Sequence, residues 1–316
     1  MQDTRLDLER IRSAQQLIDP LFLDTPLYRC ESLEPGLGCE VHVKLETGNP
    51  VRSFKGRGAE VVASRVKGPM VCASAGNLGQ ALAWSGRARG LAVTVVASHR
   101  APAPKLERIR ALGARLEVVT GDFEKARERA ASLAGTEGIR LVEDSLDLET
   151  CEGAATIGLE LVHSAVPFDA VLIALGGGAM ATGIGHVLKA LAPEVEVICV
   201  QPAGAPALTY SWQQRRVVTT DSYSTIADGV AGRRPIPEVL ADLLLVADDA
   251  VLVREESIVA AMRMLFEQGG LVAEPSAALG VAAILEDRQR FAGRRVVTIV
   301  CGSNVDAGAY RGWIGS

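Results

Sequence analysis

Two patterns of apolar positions alternate along this chain. Short apolar runs read as strands, and longer segments with apolar residues three or four apart read as helices. Leu8, Ile11, Ala14, Leu17 and Ile18 carry the first helical spacing. Thr25-Pro26-Leu27 starts an extended segment, and Val41-His42-Val43-Lys44-Leu45 alternates as a strand does. Gly48-Asn49-Pro50 reads as a turn, and a helix is predicted over 58–66. A buried strand over 69–73 then runs into Ser74-Ala75-Gly76-Asn77-Leu78-Gly79-Gln80. A helix over 81–89, a strand over 92–96, a helix over 104–112, a strand over 115–119, a helix over 123–133 and a strand over 140–142 follow.

A second run begins near Glu152. It comprises a helix over 154–163, a strand over 170–175, the turn Gly176-Gly177-Gly178, a helix over 181–191 and a strand over 195–200. Residues 202–234 look loop-rich. A helix over 255–268 leads through Val272-Ala273-Glu274-Pro275-Ser276 to a helix over 277–285, and a strand over 296–300 ends in Cys301-Gly302-Ser303-Asn304. Strands that alternate with helices predict an α/β fold with parallel, doubly wound sheets. No repeat stands out beyond the two βα halves.

The chain has 316 residues, more than one ordinary core holds, so two lobes or one large α/β unit are expected. Hydrophobic residues make up 48% and aromatics 4%, so alanine, valine, leucine and glycine build the interior, as in helix-covered parallel sheets. The net charge is -5 and no basic cluster tracks a surface, which argues against a nucleic-acid partner. The first twelve residues are charged and lack the apolar core of a signal peptide. No apolar run reaches membrane-spanning length. Cys30, Cys39, Cys72, Cys151, Cys199 and Cys301 lie far apart with no CxxC pair, which argues against a zinc site or disulfide framework and for a reducing cytoplasm.

Candidate chemistry gathers at the strand ends. Lys55 lies where a strand gives way to a helix, a place where pockets of α/β proteins open. Gly176-Gly177-Gly178 follows a strand and opens a helix, so its backbone N–H groups suit an anion and its missing side chains let a phosphate approach. The spacing Gly176-x-Gly178-x-x-Ala181 also fits a dinucleotide fingerprint. That fingerprint needs an acidic residue at the end of the next strand, and Gln201 stands there instead. No Walker lysine follows, so a single phosphate monoester is the better ligand. Ser74-Ala75-Gly76-Asn77 could hold a carboxylate, or Asn77 could simply cap the helix. Cys301-Gly302-Ser303-Asn304 is a third such turn. A phosphate, a carboxylate and a lysine at one cleft suggest a pyridoxal phosphate Schiff base.

Ser53-Phe54-Lys55-Gly56-Arg57-Gly58-Ala59, then Ser74-Ala75-Gly76-Asn77, then Gly176-Gly177-Gly178-Ala179-Met180, then Glu274-Pro275-Ser276, then Cys301-Gly302-Ser303-Asn304-Val305-Asp306 appear in this order. The set resembles the fold-type II pyridoxal-phosphate enzymes, and within them the serine/threonine dehydratases and serine racemase. The resemblance covers nearly the whole chain. It implies two doubly wound parallel-sheet domains with the cofactor, pyridoxal 5'-phosphate, in the cleft between them. Residues 1–64 and 146–316 would form the large domain and 65–145 a smaller, mobile one. The short, catabolic-type architecture is implied, since no regulatory domain follows Ser316. A homodimer acting on a small amino acid is the family expectation.

The resemblance also assigns roles. Lys55 would carry the Schiff base and take the Cα proton. Phe54 would lie against the pyridine ring, and Asn77 would bond the ring hydroxyl. Gly176, Gly177, Gly178, Ala179 and Met180 would wrap the phosphate, and Cys301 would face the ring nitrogen. Ser74, Ala75, Gly76 and Leu78 would hold the substrate carboxylate, with Glu274 near the substrate or Lys55. A thiol at the ring nitrogen is a weak partner, not a fixed anion, which favours β-elimination to a 2-oxo acid and ammonia.

Three departures narrow the expectation. The racemases of this family carry serine at the position of Ala75, and alanine transfers no proton. Leu78 stands where many dehydratases have histidine. The family's cation site is drawn from two carboxylates, and the matching stretch Gln201-Pro202-Ala203-Gly204-Ala205-Pro206-Ala207 has neither. No Mg²⁺ or Ca²⁺ is expected there, since a hard cation wants oxygen charge. Arg52 could meet a second substrate carboxylate, though a solvated arginine is the plainer reading. The alternatives to elimination are β-replacement of the cysteine synthase type, amino-acid racemisation, and a non-catalytic small-molecule binder.

Overall fold

The computed structural model describes residues 3–315; Met1 and Gln2 of the charged N-terminal stretch, and Ser316, lie outside the described residues. In chain order the strands are β1 Leu27–Arg29, β2 Glu40–Leu45, β3 Met70–Ala73, β4 Val93–Ser98, β5 Arg115–Val119, β6 Arg140–Val142, β7 Ala170–Ala174, β8 Glu196–Pro202, β9 Asp249–Val253 and β10 Arg295–Val300. They form two sheets, a larger one in the order β1-β2-β10-β7-β8-β9 and a smaller one in the order β5-β4-β3-β6. Every described pairing is parallel except β1 with β2, an antiparallel edge. The α/β expectation is met, with two sheets where the sequence suggested two βα runs.

Burial explains the strand sequences. All five residues of β7, Ala170–Ala174, are buried, as a central parallel strand covered on both faces requires. The edge strand β9, Asp249–Val253, is only partly buried, and the sequence reading passed over it. It also passed over the helices Pro237–Val246 and Ala307–Ile314, and over Ala207–Gln214 inside the stretch read as loop.

The helix Lys55–Arg65 begins three residues before the predicted 58. Gly56 and Gly58 lower its intrinsic propensity, which is why the sequence suggested a later start. Close packing is the reason glycine stands there. A Cβ on Gly58 would lie 2.9 Å from the Thr150 backbone, and one on Gly153 would lie 2.4 Å from the Gly58 Cα. The Lys55 helix and the helix Leu148–His163 therefore touch backbone to backbone. On its other side, Ala59, Val61 and Val62 pack with Met70, Cys72 and Val95 of the smaller sheet. The lysine helix thus lies between the smaller sheet and the helix Leu148–His163.

A buried ionic network fixes that helix. Arg57 is fully buried and bonds Glu46 at 2.8 and 2.9 Å, and Glu160 at 2.5 and 3.0 Å. Lys44, also buried, donates to the same Glu160 at 2.5 Å and to the Thr25 carbonyl at 2.7 Å. Burial alone would raise the Glu160 carboxyl, but the charges and hydrogen bonds of Arg57 and Lys44 hold it below its ordinary value. Strand β2, the Lys55 helix and the Leu148–His163 helix are joined through this one cluster.

Candidate active site

Asn49 shapes the approach to Lys55. Its Oδ1 accepts from the N–H of Val51 at 3.1 Å and of Ser53 at 3.3 Å, and its Nδ2 donates to the carbonyls of Glu46 and Ser53. Such a side-chain turn needs no regular structure. Ser53 then bridges Gly302, and Phe54 N–H donates to the Cys301 carbonyl at 3.0 Å. Lys55 is the first helical residue after this anchor. Its ammonium lies 2.5 Å from Asp144 Oδ2 and 4.6 Å from the centre of the Phe54 ring.

The carboxyl ends of β3, β6, β7 and β10 open on one cavity of about 550 Å³. Phe54, Lys55, Ser74, Gly76, Asn77, Leu78, Gly176, Gly177, Gly178, Ala179, Met180, Glu274 and Cys301 line it. Of the residues to which the resemblance assigns a role, Ala75 alone is absent from this lining. Arg52 is exposed, with φ of 53°, and lies outside the cavity beside a shallower depression with Asn49 and Ser303.

Asn77 does not cap its helix. Gly76 occupies the cap and Asn77 is the first residue of the helix Asn77–Ala88. Its Nδ2 donates to Glu274 Oε1 at 2.8 Å, and its Oδ1 accepts from Asn304 Nδ2 at 2.8 Å. Asn304 N–H donates to Glu274 Oε2 at 3.0 Å. Three turns that are remote in sequence therefore share one polar cluster. Burial pushes the Glu274 carboxyl up to about 7, against the lowering effect of the Asn304 and Asn77 hydrogen bonds. Burial also pushes the Cys301 thiol up, and the neighbouring Glu274 charge adds to it, so Cys301 stays a neutral thiol. The Leu78 side chain is buried within the apolar cluster of the smaller sheet, so only its backbone is a polar candidate toward a ligand.

Gly178 caps the helix Ala179–Leu191 with φ of 111°. A Cβ there would lie 2.3 Å from Val239 Cγ1, and one on Gly177 would lie 2.5 Å from Ser145 Oγ. Ala179 N–H donates to Ser145 Oγ at 3.1 Å, and the Thr182 N–H reaches the Gly178 carbonyl at 2.8 Å. The donors in between are those that a helix start leaves open, and the helix dipole favours an anion there. These groups fit the pyridoxal phosphate that the resemblance implies: a glycine cradle with open N–H donors for phosphate, a primary amine for the aldehyde, and a neutral thiol.

Sequence reasoning missed Asp144 and Ser145. The signal was present, since they follow β6 just as Gly176 follows β7, but no glycine marked the turn. It also missed two ion pairs across the cavity mouth. Arg233 donates to Asp122 Oδ2 at 3.0 Å, and Lys105 pairs with Asp228. Both join the smaller-sheet lobe to the segment 215–236. Their carboxylates are exposed, so water and salt screen both pairs. The 201–207 stretch is buried at its start, where Gln201 Oε1 accepts from Thr209 N–H at 3.0 Å. Among the described residues no group of three or more His, Cys, Asp or Glu is placed to hold a metal ion. No described helix is long and apolar enough to cross a membrane.

Comparison with known proteins agrees with this geometry. A family model described as "Pyridoxal-phosphate dependent enzyme" matches residues 18–302. The L-threonine ammonia-lyase of Thermotoga maritima is 31% identical over 306 residues, covering 95% of this chain and 76% of that protein. The biosynthetic L-threonine dehydratase of Bacillus subtilis is 30% identical over 316 residues, covering 97% of this chain and 75% of its own length. The solved structure of maize serine racemase superposes with a TM-score of 0.91 at 28% identity, covering 96% of this chain and 95% of that one.

Proposed function

From the premise that the chain belongs to the pyridoxal-phosphate dependent enzyme family, in its threonine dehydratase and serine racemase group, we propose that it catalyses β-elimination. The substrate is L-threonine, L-serine or a related β-hydroxy amino acid, and the products are a 2-oxo acid and ammonia. The observation that carries this reading is Lys55 as the one lysine among the described residues that lines the cavity; alanine at position 75, where the racemases of the resemblance carry serine, sets the direction within the group. Pyridoxal phosphate, when bound, draws electrons away from the substrate's α-carbon.

The protein's own groups supply the rest. Lys55 would hold the cofactor through its aldehyde, and its Nζ, once free, would take the Cα proton. The N–H groups of Gly176, Gly177, Gly178 and Met180 would hold the phosphate, with Ala179 closing the cradle, and those of the turn from Ser74 to Leu78 would hold the substrate carboxylate. Cys301 offers the ring nitrogen a neutral thiol. It would place no fixed charge there, which would favour loss of the β-hydroxyl. Racemisation needs a second group to return a proton on the opposite face, and Ala75 has none to give.

The test offers the holoenzyme L-threonine, L-serine and other β-hydroxy amino acids while 2-oxo acid and the enantiomer are assayed together. We expect 2-oxo acid with the D-enantiomer below a hundredth of it. Racemisation faster than 2-oxo acid formation would overturn the reading in favour of the racemases, and trapping of an added thiol in place of 2-oxo acid would favour β-replacement.

A further inference from the structure

Asp144 stands out among the groups of the cavity that the proposed reaction leaves unused. It lies in the turn after β6, just ahead of the helix Leu148–His163. Its Oδ2 accepts from Lys55 Nζ at 2.5 Å, while its Oδ1 is buried with no hydrogen-bond partner. Lys55 is its one cationic partner among the described residues. The turn is tied down by its neighbour: Ser145, at φ of 68°, takes the Ala179 N–H on Oγ at 3.1 Å and donates its own N–H to Thr150 Oγ1 at 3.1 Å. A Cβ on Gly177 would lie 3.7 Å from Asp144 Oδ2. The carboxylate is therefore held between the lysine and the glycine turn.

We propose that Asp144 is a catalytic residue that keeps a proton on Lys55 Nζ when that amine is joined to the cofactor. Joining Lys55 to the aldehyde carbon expels one water and leaves Nζ with a single proton that it can keep or lose. If it keeps the proton, Asp144 retains a cation beside Oδ2. If it loses the proton, a carboxylate whose Oδ1 already lacks a partner is left with none. The Asp144 side chain is 30% exposed, but its Oδ1 is enclosed, and an enclosed carboxylate oxygen with no partner on either side is costly, so the proton stays. A protonated nitrogen is also the form that an incoming amine attacks and the form that draws electrons most strongly.

Among the described residues no other cation forms an ion pair with Asp144; Arg100, Arg127, Arg233 and Arg234 also line the cavity, Arg127 paired with Glu143 and Arg233 with Asp122. Glu143 is paired with Arg127 at 3.0 Å and Arg5 with Asp242 at 2.7 Å. Asp147 is paired with Arg140 at 3.2 Å, and its carboxyl is raised by burial. The Cys72 thiol is pushed up to about 12 and the Cys151 thiol to about 11, both first by burial, so both are uncharged. Cys301 is a neutral thiol, and Glu274 across the cavity is a carboxyl. The bound phosphate would add negative charge.

The inference rests on Lys55 joining the cofactor and not on the reaction class, and its test uses no substrate. Holoenzyme is titrated with base while the visible absorption band is followed, in wild type and in Asp144→Asn. An opposite charge at this distance moves a proton equilibrium by about one to three units. The midpoint of the band change is expected to fall by that amount in Asp144→Asn and to stay within about half a unit of wild type in Asp144→Glu. Coincident midpoints in wild type and Asp144→Asn would overturn the proposal. Asp144→Ser replaces the asparagine variant if that protein does not take up cofactor. Failure of both neutral variants to load, with normal loading of Asp144→Glu, would also overturn it and assign the carboxylate to cofactor capture.

Discussion

Lys55→Ala should lower formation of 2-oxo acid by about 10⁴-fold or more, because it removes the attachment point and the proton acceptor together. No second lysine can substitute within the described structure, since none other lines the cavity. The fold should survive. Lys55 is the first residue of its helix, and the packing that holds the helix comes from Arg57, Ala59, Val61 and Val62. Far-ultraviolet circular dichroism should therefore match wild type while steady-state turnover collapses, with partial rescue by added small primary amines. A variant that retains full turnover would remove Lys55 from the chemistry.

The second large effect concerns stability. Arg57→Ala should cost about 3 to 5 kcal/mol, the usual penalty for breaking a buried ion pair by deleting one partner. Glu46 is fully buried and Glu160 nearly so, and both would lose the guanidinium that bonds them. Lys44 would remain for Glu160, but none of the described ion pairs would then reach Glu46. Arg57→Lys should recover only part of the loss, because an ammonium cannot bridge two carboxylates with paired planar donors. Urea melts of the loaded proteins measure this. A loss below about 1 kcal/mol, the range of exposed pairs, would mean that water reaches the cluster.

The comparison of chain and structure shows where local signals suffice. Gly176-Gly177-Gly178 announced itself, because a cradle that forbids side chains and a backbone at φ of 111° at Gly178 leave glycine as the residue that fits. Lys55 was legible from its place between an alternating strand and a helix. The helix start was misjudged because Gly58 serves an interhelical contact with Thr150 that no local pattern encodes. Asn77 looked like a helix cap for a similar reason: its partners, Glu274 and Asn304, lie about two hundred residues away. Asp144 was missed because its significance is a contact with Lys55, 89 residues away in the chain. Arg57 sits inside the run Ser53 to Ala59 that carries the resemblance, yet nothing in its neighbours tells that it would be fully buried between two carboxylates.

The central claim is that this cavity holds pyridoxal phosphate on Lys55. Borohydride reduction of the yellow holoenzyme, followed by proteolysis and mass spectrometry, tests it most directly, because it fixes the cofactor to whichever amine carries it. The account requires the phosphopyridoxyl mass on the peptide containing Lys55. Label on another lysine, such as Lys105, or no label on a protein that had been yellow, would contradict it.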